Sequence, residues 1–91
     1  MKSGAHIVVS GMVQGVGFRY FVRHHATLFG LTGWVRNLSN GDVELEAEGE
    51  KESIEALLVY LRRGPGSAAV SNVEVAWKEP HDHFERFEIT Y

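Results

Sequence analysis

The apolar residues of this chain change their spacing in an order that few folds can satisfy. His6 to Val13 is rich in β-branched residues and runs into Gln14-Gly15-Val16-Gly17, which reads as a buried strand entering a glycine loop. Phe18, Val22, Ala26 and Phe29 then recur at helical spacing, with Gly30 where a left-handed C-terminal cap is wanted. Thr32 to Leu38 and Asp42 to Glu48 flank Asn40-Gly41, a dipeptide suited to the positive φ angles of a type I′ hairpin turn. Ile54, Leu57, Leu58 and Leu61 mark a second helix, with Glu50, Glu52 and Glu55 early and Arg62 and Arg63 late, as the helix dipole favours. Gly64-Pro65-Gly66 stops it. Val73, Val75 and Trp77 alternate as a strand, and beyond the polar stretch from Glu79 to His83 so do Phe87, Ile89 and Tyr91.

Strand, helix, strand, strand, helix, strand, with one short strand added, is the split βαβ or ferredoxin-like plan, an α+β sandwich. It predicts an antiparallel sheet with both helices on one face. The other face then stays polar. Val43, Leu45 and Ala47 alternate with Asp42, Glu44, Glu46 and Glu48, so the carboxylate row reads as a solvated sheet face and not as a metal site. With 91 residues, 44% hydrophobic and 23% charged, residues 1–91 are expected to form one globular domain.

Composition removes several classes of function. No cysteine is present, which excludes disulfides, thiolate metal sites and a thiol nucleophile. Met1 to Gly17 carries one Lys and no uninterrupted apolar core, so neither a signal peptide nor a membrane span is expected there, and the chain reads as cytoplasmic. A net charge of −3 argues against nucleic acid as a partner, and any anion site must be local.

One such place is the glycine loop, which leads into a helix beginning Phe18-Arg19. Free main-chain N–H groups and a guanidinium at a helix N-terminus attract an anion. The loop lacks the Gly-Lys-Ser/Thr ending of a nucleotide P-loop and the glycine spacing of dinucleotide sites. Alone, it is equally a tight turn that needs glycine dihedrals. Arg19 opposes the helix dipole, which a bound phosphate or a surface carboxylate would compensate. In the split βαβ plan the first two strands run parallel, so Asn37, near the end of the second, approaches Arg19, just after the first. Asn37 is also a plausible turn residue.

Gly11-Met12-Val13-Gln14-Gly15-Val16-Gly17-Phe18-Arg19 resembles the acylphosphatase signature, of which Val-Gln-Gly-Val and Phe-Arg are the diagnostic parts. Gly33-Trp34-Val35-Arg36-Asn37 resembles the family's second signature, and Gly41, Val43-Glu44, Gly49 and Gly64-Pro65 also fit its pattern, so the likeness spans nearly the whole chain. Asn40 stands where Asp often precedes the turn glycine, and either side chain suits that turn. The resemblance implies hydrolysis of a carboxyl phosphate to a carboxylate and inorganic phosphate. It implies that Arg19 and main-chain N–H groups of the loop Gln14, Gly15, Val16, Gly17, Phe18 and Arg19 hold the phosphoryl group. Asn37 is implied to orient the water. No metal or organic cofactor belongs to the family's chemistry.

Other readings are weaker. His24 and His25 are adjacent and diverge on a helix, while His81 and His83 lie outside both signatures, and His6 has no recognisable partner. Tyr20, Phe21 and Phe29 read as core at this spacing. A binding module on the same fold is opposed by the acidic charge balance. A domain of a larger carbamoyl-transfer maturation enzyme is the other rival; the end of the chain at Tyr91 favours a separate enzyme. Nothing compels the edge strands to pair between chains, so a monomer is expected.

Overall fold

Seven elements follow one another in the computed structural model, which describes residues 1–91. They are β1 (Lys2–Met12), α1 (Phe18–Leu28), β2 (Thr32–Asn37), β3 (Val43–Glu50), α2 (Lys51–Arg63), β4 (Ala69–Lys78) and β5 (Phe87–Ile89). The sheet runs β4-β1-β3-β2-β5. β3 lies antiparallel between β1 and β2, which are therefore parallel to each other and end at the same edge of the sheet. This is the ferredoxin-like arrangement that the apolar spacing predicts.

Both helices turn their apolar stripes to one sheet face. Phe18, Val22 and Ala26 of α1 and Ile54, Leu57, Leu58 and Leu61 of α2 are buried against Ala5, Ile7, Val9, Val35, Val43, Leu45 and Ala47. Full burial of each larger aliphatic or aromatic side chain contributes roughly 1.5–3 kcal/mol, so this layer is the main source of stability. Gly30 closes α1 as expected: at φ 72° it donates to the Thr27 carbonyl, and Leu31 N–H reaches back to Ala26 O at 2.9 Å. No helix is long and apolar enough to cross a membrane.

Three sequence expectations change in detail. The sheet is mixed, because β5 pairs parallel to β2, and Tyr91 lies beyond it. After β4 the chain crosses to the far edge of the sheet, and there only the free side of β2 offers partners. The β2–β3 turn is not type I′, since Asn40 does not take a positive φ. Its Oδ1 accepts the Asp42 N–H at 3.0 Å and Gly41 alone takes the positive angle, at 98°. Leu38 O accepts from Gly41 N–H, and Leu38 N–H donates to Asp42 O, giving a three-residue loop with a glycine bulge.

The carboxylate row, third, is paired and partly buried instead of solvated. Glu44 meets His6 Nε2 and Arg36 Nε, each at 2.7 Å, and Glu46 meets Lys78 at 2.9 Å. His6 thus has a partner that the strand alone does not reveal. Glu48 is only 2% exposed and accepts the main-chain N–H groups of His81 (2.7 Å) and Asp82 (3.0 Å), which fastens the crossing segment to the sheet. Asp82, the one non-glycine residue at positive φ (60°), is held there by that bond and by an ion pair with Lys2.

Candidate active site

The end of β1 breaks register with β4 between Ser10 and Gly11, a bulge at which the strand bends before entering the loop. Gly11 permits it: at φ 125°, a Cβ would stand 2.2 Å from the Ala69 carbonyl oxygen. Val13 is buried just beyond, pinning the start of the loop. Gly15 (φ 74°) and Gly17 (φ 76°) flank Val16, whose φ is negative, and this alternation turns successive N–H groups toward one side. An added Cβ would meet nothing within 4 Å at either glycine, so the dihedral and not the space demands them.

α1 starts from this loop without a side-chain cap. Its first main-chain bond runs from Phe21 N–H to the Gly17 carbonyl at 3.1 Å, and no main-chain bond is donated from Gln14 to Tyr20. A row of free N–H groups therefore stands at the positive end of the helix. Phe18 drives its ring into the core, which fixes the first turn, and Arg19 follows it outward, half-buried. The Arg19 guanidinium lies over the Tyr91 ring at 5.0 Å and has no carboxylate partner, so its charge is uncompensated within the protein.

Asn37 is the last residue of β2, paired with Val43. The topology places it beside Arg19: Val13, Gly15, Gly17, Phe18, Arg19, Tyr20 and Asn37 line one cleft of about 90 Å³. Asn37 Oδ1 is buried and accepts no hydrogen bond from the protein. It is the one buried side-chain polar atom left so, and such an atom costs free energy unless a function retains it. Gln14 faces elsewhere. Its Nε2 donates to Leu38 O and Asp42 O, both at 2.8 Å, tying the loop to the hairpin that carries Asn37.

Of the residues singled out from sequence, Gly15, Gly17, Phe18, Arg19 and Asn37 meet at the cleft, whereas the side chains of Gln14 and Val16 do not line it. Tyr20 is a correction: it is 59% exposed and forms part of the cleft wall, instead of packing in the core. Its helical phase carried the signal, because two residues from Phe18 and two from Val22 is nearly opposite the buried stripe.

A larger hollow of about 470 Å³ opens on the polar sheet face around Trp34, Phe84 and Arg86. Its arginines are already engaged, Arg36 with Glu44 and Arg86 with Glu88, and it gathers no free N–H row. No group of three or more His, Asp or Glu side chains is placed to hold a metal ion. His81 and His83 stack on each other at 5.6 Å, and His25 stacks on Tyr60 at 4.2 Å. Burial, and then the neighbouring His24, push the pKa of His25 below the ordinary imidazole value.

Comparison with known proteins agrees with this geometry. The acylphosphatase family model matches residues 5–89. An acylphosphatase of Geotalea uraniireducens is 47% identical over 91 residues, covering all of both chains. The crystal structure of acylphosphatase from Bacillus subtilis superposes with a TM-score of 0.94 at 36% identity, over all of both chains. An acylphosphatase structure from Coxiella burnetii gives 0.92 at 48% identity, covering 98% of this chain and 93% of that one. With both signatures meeting at a cleft that pairs a free arginine with an unpartnered asparagine, the chain belongs to the acylphosphatase family and hydrolyses acyl phosphates.

Proposed function

We propose that the cleft holds the phosphoryl group of the acyl phosphate on Arg19 and the main-chain N–H groups of the Gln14 to Arg19 loop, while Asn37 orients the attacking water. The observation that carries this reading is the buried, unpartnered Asn37 Oδ1 in the same cleft as the unpaired Arg19. A guanidinium offers two parallel donors to phosphate oxygens, and the loop amides add donors that need no reorganisation. Asn37 Oδ1 accepts one proton of the water and so aims the oxygen lone pair at phosphorus.

The water oxygen bonds to phosphorus as the bond from phosphorus to the acyl oxygen breaks, and that electron pair leaves on the carboxylate. One water proton passes to a phosphoryl oxygen, which balances the products as carboxylate and dihydrogen phosphate. Asn is no base, and none is required, since a carboxylate is a good leaving group and positioning with charge stabilisation suffices. For the same reason the step calls for no Lewis acid. In this reading the 91 residues act as one domain, as a monomer in the cytoplasm, on small acyl phosphates.

Titration of inorganic phosphate into isotopically labelled protein, followed by amide NMR, tests the phosphate site. The amides of Gly15 to Arg19 shift in wild type and in Asn37→Ala, and stay still in Arg19→Lys. Wild-type-like phosphate affinity in Arg19→Lys, or shifts confined to the hollow around Trp34, contradicts it.

A further inference from the structure

We propose that Arg23, held against Tyr20, forms a subsite for a second anionic group on the acyl side of the substrate. The inference rests on the reading of the cleft given above and names the substrates it favours. At about 90 Å³ the cleft is smaller than the groove beside it, and it is lined by the groups assigned to the phosphoryl group and the water, so the acyl group extends beyond it. A groove of about 290 Å³ along the outer face of α1 adjoins the cleft through Tyr20, which lines both, and continues past Arg23 and Thr27 to Leu28.

The charge of this face is one-sided. The chain carries 12 acidic residues and a net charge of −3, yet α1 holds Arg19, Arg23, His24 and His25 and no Asp or Glu. Arg19 and Arg23 are four apart, so they share a helix face as a like-charged pair near the positive end of the helix dipole. Arg23 has no carboxylate partner. Its guanidinium lies 5.2 Å from the centre of the Tyr20 ring, which holds this exposed side chain in the groove, against the residue that groove and cleft share. Four residues of helix rise set their main-chain positions about 6 Å apart along the axis, so a single small ligand lying along this face can meet both flexible side chains. A ligand with one anion on Arg19 and a second on Arg23 relieves both unfavourable charges at once. The subsite therefore selects acyl phosphates whose acyl part ends in a carboxylate or phosphate.

The test compares benzoyl phosphate with 4-carboxybenzoyl phosphate and 4-phosphonobenzoyl phosphate, whose rigid rings prevent self-cyclisation. At least one of the two substrates with a second anionic group is expected to exceed benzoyl phosphate in kcat/KM by about tenfold, chiefly through KM, the size of one charge-assisted contact at a partly exposed site. The better of the two identifies the preferred anion. Arg23→Gln abolishes the preference, Arg23→Lys keeps part of it, and Tyr20→Leu weakens it where Tyr20→Phe does not. Equal kcat/KM for all three substrates in wild type, or a preference that survives Arg23→Gln, overturns the subsite while leaving the cleft reading intact. Failure of wild type to hydrolyse benzoyl phosphate at all overturns both.

Discussion

Replacing Asn37 by Ala should separate stability from activity. The Asn37 Oδ1 atom accepts no hydrogen bond from the protein and lines an open cleft, so its truncation breaks no internal bond. It keeps the main-chain pairing with Val43, and because the side chain lines a cleft, no sealed cavity is left behind. Loss of the few side-chain contacts is the remaining cost. The net expectation is a protein within about 1 kcal/mol of wild type in stability. For a chain of this length that is a change in Tm of no more than about 4–8 °C. Turnover falls far more. Loss of one preorganised group costs roughly 10²–10³ in kcat, about 2.7–4 kcal/mol of barrier, with KM little changed because the phosphate contacts remain. Urea unfolding with an unchanged m-value, alongside benzoyl phosphate kinetics, measures both. A variant destabilised by more than 1 kcal/mol that retains wild-type turnover would refute the reasoning, since Asn37 would then be a structural residue.

Two glycines distinguish dihedral need from space. Gly17→Ala meets no atom and pays only for the left-handed backbone, about 1–2 kcal/mol, so it folds but loses phosphate affinity; Gly33→Ala places a Cβ 1.9 Å from the Glu46 oxygen and should fail to accumulate as folded protein by circular dichroism. Gln14→Leu removes one of the two donors that reach each of the Leu38 and Asp42 carbonyls, which costs about 0.5–1.5 kcal/mol per bond in urea unfolding and lowers kcat by loosening the link between the loop and the Asn37 strand. Burial and His24 depress the His25 pKa in the folded protein, so the unfolded chain takes up the proton first. That contribution to stability is complete above pH 6.5 and is lost as the pH falls from there toward the folded pKa. Urea unfolding from pH 8 to pH 5 should show the decline, and His25→Phe should flatten it.

What the sequence shows and what it hides divide along the range of the interactions. Helices and strands are set by the phase of nearby apolar residues, so Ile54 to Leu61 and Val43 to Ala47 are legible. The Gly30 cap is legible for the same reason, since it needs only left-handed φ at one position. Loop and arginine are visible as a motif, and parallel first and second strands bring Asn37 to Arg19 by topology alone. Features set across strands are not visible. His6 finds Glu44, and Glu48 finds the main chain of His81 and Asp82, only once β1, β3 and the crossing segment are in register. Asn40 misleads because Asn-Gly suits type I′, whereas its side chain here folds back onto the Asp42 N–H. The direction of β5 is hidden because alternation reads the same both ways along a strand.

In the proposed mechanism one guanidinium and one amide, acting through position and charge, carry the reaction. Its most direct test is benzoyl phosphate hydrolysis in excess chelator by wild type, Arg19→Lys and Asn37→Ala, each first shown to be folded. Wild type is expected to turn over at a rate that the chelator leaves unchanged, Arg19→Lys to lose activity severely with KM affected, and Asn37→Ala to lose it in kcat alone. Wild-type turnover by either variant, or wild-type activity that the chelator abolishes, would contradict it.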